Sequence, residues 1–330
     1  MTPRLGFVRF GAVKLSIGFL PFTRRVWGRL ALLAILLAAP ACAVRRTTRV
    51  PTAQTPPPAL EASTTDLVSR INAQSAAIRT LNLTVELAPT AGSVYSGVIK
   101  EYRDVKAFIL VERPAMIRMI GQAPVIRTNI FDMVSDGSEF RLYIPSQQKF
   151  IVGKTTFHRP AKNALESLRP QYVLNALLVP PIDPARETYY REEENRSGRR
   201  HYVISVLEAP HQGNGVETAE LALKRKISFD RSTLDIARLE LYGSEGSLVE
   251  DVNYSNYQDF QGVRYPAHIE LDRPVEEVSL AITILDGPKF NQPIPPEKFE
   301  LRKPADAQLV ELGEEHHSEE GTEGEAARGQ

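Results

Sequence analysis

The chain holds a single cysteine, Cys42, among 330 residues. One thiol excludes an internal disulfide framework and a thiolate zinc cluster. It also lacks an excess of either charge, with 40 basic and 40 acidic side chains. The apolar run Leu30–Ala39 is ten residues long, about half of what a transmembrane helix needs, and no other stretch is long enough. Catalytic signatures are missing too. There is no HExxH, Walker loop, GxGxxG or G-x-S-x-G elbow. His158, His201, His211 and His268 are scattered, and Gly213-Asn214-Gly215 reads as a turn. Asp132, Asp136 and Asp183 are the carboxylates available for acid–base work. Asp136 precedes a turn glycine and Asp183 sits in a proline-rich loop, so both read as structural. A binding module is favoured over an enzyme, with no cofactor and no metal. His316 and His317, adjacent in an acidic tail, read as solvated rather than as a metal site.

What is there begins with an export signal. Residues 1–42 carry six basic side chains and no acid. Arg24, Arg25 and Arg29 precede the short apolar run, and Ala39-Pro40-Ala41 closes it, the layout of a secretory signal. Residues 1–41 are therefore expected to be a signal peptide. Removing residues 1–42 leaves 34 basic against 40 acidic groups, a poor balance for binding nucleic acid. Cys42 then becomes the mature N-terminus and a lipidation site. Ala39 stands where a lipid-attachment box usually has leucine, and ordinary cleavage would cut at the same bond. Lipidation is favoured because cysteine occurs nowhere else and falls where the apolar run ends. Residues 42–62, rich in Pro and Thr, read as a flexible tether. Residues 305–330, with seven Glu from Glu311 onward, read as a disordered acidic tail.

Residues 63–304 read as one compact domain. Ser63 and Asp66 predict a helix N-cap, with Leu67, Ile71, Ile78 and Leu81 on one face. About a dozen β segments follow, read as an antiparallel meander. They are broken once by "PAKNALESLRPQYVLNALLVPPID", read as two short helices with Pro170 in the first turn of the second. Asp136-Gly137, Pro145-Ser146 and Asp259–Gly262 mark turns. The expected fold is mainly β (α+β): a large curled antiparallel sheet forming an unclosed barrel, capped by a few helices. Several strands carry aliphatic residues on one face: Val105 to Val111, Leu221 to Phe229, Val278 to Ile284. Such faces fill an ordinary core in most β domains, but a curled sheet can also enclose an apolar cavity.

The order of the short motifs resembles the LolA/LolB lipoprotein-carrier superfamily and its lipoprotein-sorting relatives. The opening helix runs directly into the first strand. "VERPAMIRM" matches through Pro114 and Arg118, and "VSDGSEFRLYIPSQQKFIVG" through Asp136, Gly137, Tyr143, Pro145 and Gly153. The helix pair ends at "LLVPPID". "YSNYQDFQGVRYPAHIEL" matches through Gly262, Tyr265 and Pro266, and "IPPEKFEL" closes the domain. The resemblance implies an unclosed barrel capped by helices, a cavity for acyl chains, and no cofactor or covalent chemistry. It implies a protein that receives or inserts lipoproteins or lipids at the outer membrane of a diderm bacterium, anchored through Cys42 and facing the periplasm. Its partners would be lipoprotein or lipid acyl chains, the membrane, and a periplasmic carrier or envelope protein. Cavity-lining residues expected from the pattern are Ile109, Val111, Phe140, Leu142, Leu174, Leu177, Leu178, Leu280 and Ile282. Ile120–Phe131 is the one candidate for a protruding apolar loop. A lipid-sensing adaptor that regulates a protein partner, and a solid-cored structural lipoprotein, are the other readings.

Overall fold

The computed structural model describes residues 58–92, 100–101, 104–123, 127–155, 169–196, 198–208 and 221–312. Cys42, His158, His211, the turn at Gly213–Gly215, the first of the two expected mid-chain helices and His316–His317 lie outside the described residues.

Helix α1 (Thr64–Ala77) begins as its sequence dictates. Ser63 Oγ accepts from the Asp66 N–H at 3.1 Å, and Asp66 Oδ2 accepts from the Ser63 N–H at 2.9 Å. This reciprocal box satisfies two of the donors a helix start leaves free. The helix buries Leu67, Val68 and Ile71. It stops at Ile78, which is extended, and Leu81 belongs to the first strand instead of the helix face.

The chain then forms strands β1 (Thr80–Ala91), β2 (Lys100–Glu101), β3 (Val105–Glu112), β4 (Met116–Gln122), β5 (Asn129–Ser135), β6 (Glu139–Ile144) and β7 (Lys149–Lys154). Of Ile120–Phe131, Ile120–Gln122 belong to β4 and Asn129–Phe131 to β5, and residues 124–126 between them lie outside the described residues. Helix α2 (Pro170–Leu177) follows, with Arg169 extended and Pro170 at its first position. The second run is β8 (Glu187–Arg196), β9 (Arg199–Glu208), β10 (Ala222–Asp230), β11 (Ile236–Tyr242), β12 (Leu248–Phe260), β13 (Val263–Arg273), β14 (Val278–Ile284), β15 (Lys289–Phe290) and β16 (Gln308–Leu312). At the β12–β13 turn Gln261 and Gly262 both have positive φ, as a tight hairpin requires, and Asp259 Oδ1 accepts from the Gly262 N–H at 2.8 Å.

All sixteen strands make one sheet, but not as a single meander. Two meanders, β3–β7 and β8–β14, are joined side by side through β1. That strand pairs β3 over Thr80–Leu87 and β14 over Val85–Ala91. The path runs from β16 to β8 with no ladder between those ends among the described residues, so the sheet is unclosed. The ordered chain also continues past the expected tail boundary. Gln308–Leu312 pair in parallel with Lys149–Gly153, and Arg118 Nη1 donates to the Lys298 carbonyl at 2.8 Å on the way there.

One face of this sheet and both helices share a single apolar cluster. A sheet of this width can bury one face against two short helices only by curling around them. Glycine is needed at Gly121, where a Cβ would stand 2.3 Å from the Phe131 ring. The expected inner row of β10 is corrected by a bulge. The register with β9 shifts between Leu223 and Arg225, so Arg225, Ile227 and Phe229 turn inward while Leu221 is 50% exposed.

Candidate functional site

The nine expected lining residues all fall in that one cluster, none more than 5% exposed. Ile109 and Val111 come from β3, Phe140 and Leu142 from β6, and Leu280 and Ile282 from β14. Leu174 and Leu177 project from α2, and Leu178 is its C-cap. All nine are therefore buried in the interior, with three of them contributed by α2 and its C-cap.

The bonds that hold α2 come from residues far apart in the sequence. A helix end leaves its last carbonyls without partners, and here the wall supplies them. Tyr254 O–H of β12 donates to the Ala176 carbonyl at 3.0 Å, and Tyr265 O–H of β13 to the Leu177 carbonyl at 2.8 Å. Past the helix, Arg113 Nη2 donates to the Val179 carbonyl at 3.2 Å and Arg225 Nη2 to the Pro181 carbonyl at 2.8 Å. Asn72 of α1 takes both main-chain groups of Ile182, donating to its carbonyl at 3.0 Å and accepting from its N–H at 2.8 Å. Burial pushes the phenols of Tyr254 and Tyr265 well above their ordinary value, so both remain protonated donors. Each carbonyl so capped would otherwise be a buried acceptor without a partner, at a cost of about 1–3 kcal/mol.

The other side of α2 meets charge. Arg273 lies over the Tyr172 ring at 3.4 Å and contacts Glu276 at 2.5 Å, with Glu250 at 3.9 Å from its Nη1. Two carboxylates thus share one guanidinium in a dry place. Glu276 holds it closely, and Glu250, only 1% exposed, is the less compensated. Burial pushes the Glu250 carboxyl up to about 8, against the pull of Arg273 and of a hydrogen bond from Asn175 on α2. Burial thus favours the neutral form of Glu250. Glu250 Oε1, Arg273 Nε, Glu276 Oε2 and Gln171 Oε1 are buried with no hydrogen-bond partner. Gln171 lies one turn before Asn175 on α2. The contact between α2 and the wall is therefore polar and incompletely satisfied here, unlike its apolar face. Alternation contains a signal for these groups. Glu250 shares parity with Val252 and Tyr254, and Arg273 with Tyr265, Ile269 and Leu271, all on the inner face.

The carboxylates considered for catalysis are occupied by structural bonds. Asp132 makes a two-point pair with Arg118 at 3.0 and 2.7 Å. Asp136 caps its turn and is held low, first by the Glu139 N–H. Asp183 accepts from the Ala185 N–H at 3.0 Å. His268 contacts Thr283 at 3.0 Å and Glu270 at 3.3 Å. Among the described residues no three His, Cys, Asp or Glu side chains gather as metal ligands, and no helix is long and apolar enough to cross a membrane.

No family model matches the chain, and no curated protein matches it. Among solved structures it is similar to a DUF1329 family protein from Desulfovibrio piger, with TM-score 0.46 and 16% identity over 71% of this chain and 95% of that one. It is similar to a LolA superfamily protein from Nitrosomonas europaea, with TM-score 0.43 and 13% identity over 71% and 97%. A domain from Vibrio parahaemolyticus assigned to outer membrane lipoprotein sorting gives TM-score 0.43 and 11% identity over 71% and 94%. All three are distant in sequence.

Proposed function

We propose that this domain binds acyl chains of lipoproteins or lipids, with α2 as a displaceable lid over the inner face of the sheet. The observation that carries this reading is the way α2 is fixed. The eight residues of α2 pack on the apolar face, and their C-terminal end is held by hydrogen bonds from wall side chains to main-chain carbonyls. Such bonds can be exchanged for water when the segment swings out. Magnitudes permit the exchange. An acyl chain of about a dozen methylenes gains roughly 10 kcal/mol on burial. That is comparable to what Val173, Leu174 and Leu177 of α2 gain together, at about 1.5–3 kcal/mol each. Once released, the phenols of Tyr254 and Tyr265 face the ester or amide carbonyls at the head of the chains. On this reading Ile109, Val111, Phe140, Leu142, Leu280 and Ile282 line the cavity that opens, and Leu174, Leu177 and Leu178 leave with the lid. Lipidation of Cys42 would anchor the protein at the outer membrane facing the periplasm, where it receives or inserts lipoproteins.

Close packing of all nine residues favours a second reading, a solid-cored structural lipoprotein. Titrating the exported chain carrying Cys42→Ser with a fluorescent fatty acid separates the two. Saturable binding near one equivalent, weakened by Ile282→Asp, supports the carrier. An absence of binding leaves the solid core. Mass spectrometry of the mature N-terminus tests the anchor: an acylated Cys42 is expected, and a bare one contradicts it.

A further inference from the structure

The inner face does not exhaust the sheet. On the opposite face, β8 to β12 form a pocket of about 270 Å³ whose lining includes Arg196, Arg199, His201, Ser228, Arg238 and Asn253. Tyr202 and Ile204 point into the core, so His201 points away from it, and the pocket is separate from the lid and its cavity. Other arginines of this face are paired with carboxylates, Arg238 in the pocket floor among them. Arg238 is paired with Asp251 through two bonds and with Glu240 at 2.9 Å. Arg264 is paired with Asp235. The end of the β8–β9 ladder breaks this rule. Arg196 stands directly opposite Arg199, and like charges placed so repel. Arg199 is 76% exposed with its nearest carboxylate at 3.9 Å, and Arg196 has no ion-pair partner among the described residues. Beneath them the His201 Nδ1 is buried without a hydrogen-bond partner. Ser228, Arg238 and Asn253 form one row across the pocket floor. Glu194, opposite His201 in the ladder, is the one acid in the lining.

We infer that this pocket binds a phosphate-type oxyanion between Arg196 and Arg199, with His201, Ser228 and Asn253 available to its remaining oxygens. A bound oxyanion converts the opposed arginine pair from a repulsion into two charge-assisted contacts, the geometry in which guanidinium groups recognise phosphate. The phosphate can be a lipid headgroup or a free ion. The pocket is independent of whether acyl chains enter on the other face.

The test uses the full mature chain. Six histidines in the whole sequence make the imidazole resonances assignable, with His201→Gln identifying its own signal. Adding inorganic phosphate is expected to shift the His201 ring signals saturably and to raise the melting temperature. The double variant Arg196→Gln/Arg199→Gln is expected to keep its melting temperature without phosphate, since it relieves a repulsion. It should bind phosphate about tenfold or more weakly. Vesicles of anionic phospholipid reproducing the His201 shift identify a headgroup. A response to inorganic phosphate alone identifies a free ion. If the His201 signals do not move with phosphate or vesicles, or move equally in the double variant, the site is refuted.

Discussion

Strands β8 to β14 have two unlike faces made from the same residues in alternation. The inner face holds its helix with few polar groups, each buried. The outer face carries ion pairs of graded exposure, from Arg238 with Asp251, both largely covered, to Arg264 with Asp235, where Arg264 is 51% exposed. Where the outer face is wet, as at Arg264, an ion pair contributes less, because water substitutes for either partner. On the inner face nothing substitutes, so one lost hydroxyl leaves a main-chain carbonyl unsatisfied. Energy therefore concentrates on the face where the lid sits, and that contrast can be broken at graded points.

The largest effect is expected from Arg273→Ala. It removes the guanidinium that Glu250 and Glu276 share, and chemical denaturation should show a loss of about 3–5 kcal/mol. Next is the pH dependence of stability. The Glu250 carboxyl is raised in the folded protein, so its stabilising contribution is complete below about pH 4.5. It declines as pH rises toward 8, because the unfolded chain ionises there and the folded one does not. The slope from this group is at most about 1.4 kcal/mol per pH unit. Glu250→Gln should remove that decline, seen as a smaller difference in melting temperature between pH 5 and pH 8. An unchanged difference would mean that Glu250 ionises normally. Tyr265→Phe leaves the Leu177 carbonyl without its donor and should cost about 1–3 kcal/mol, with faster amide exchange in α2. Arg264→Ala, on the outer face, should cost less than about 1 kcal/mol, and increasing salt should reduce its effect further. A result with Arg264→Ala as costly as Tyr265→Phe would abolish the distinction between the faces.

The sequence was informative where physics is local. Ser63 and Asp66 announce α1, Pro170 announces α2, and alternation within Glu139–Ile144 assigns faces correctly. Placement of β1 was not legible, because its pairing with β14 joins segments far apart in the chain and leaves no mark in either. The bulge at Leu223–Arg225 defeated a simple count of alternation. Strand β16 was hidden because its partner β7 lies across the whole second meander, and its Glu311 reads as the start of an acidic tail. For the lid, the apolar residues Leu174 and Leu177 were visible from composition. Their anchors Asn72, Arg113, Tyr254 and Tyr265 were not, since they come from four separate elements or connections and meet only in the fold. Glu250 and Arg273 lay in plain parity with apolar neighbours and were the recoverable omission.

The most direct measurement is hydrogen–deuterium exchange of the α2 amides, followed with and without a fatty acid of acyl-chain length. A displaceable lid predicts that residues 172–178 lose protection when the fatty acid binds, while β9 to β14 keep theirs. A fatty acid that binds while α2 stays as protected as the strands around it, or that does not bind at all, would contradict the lid.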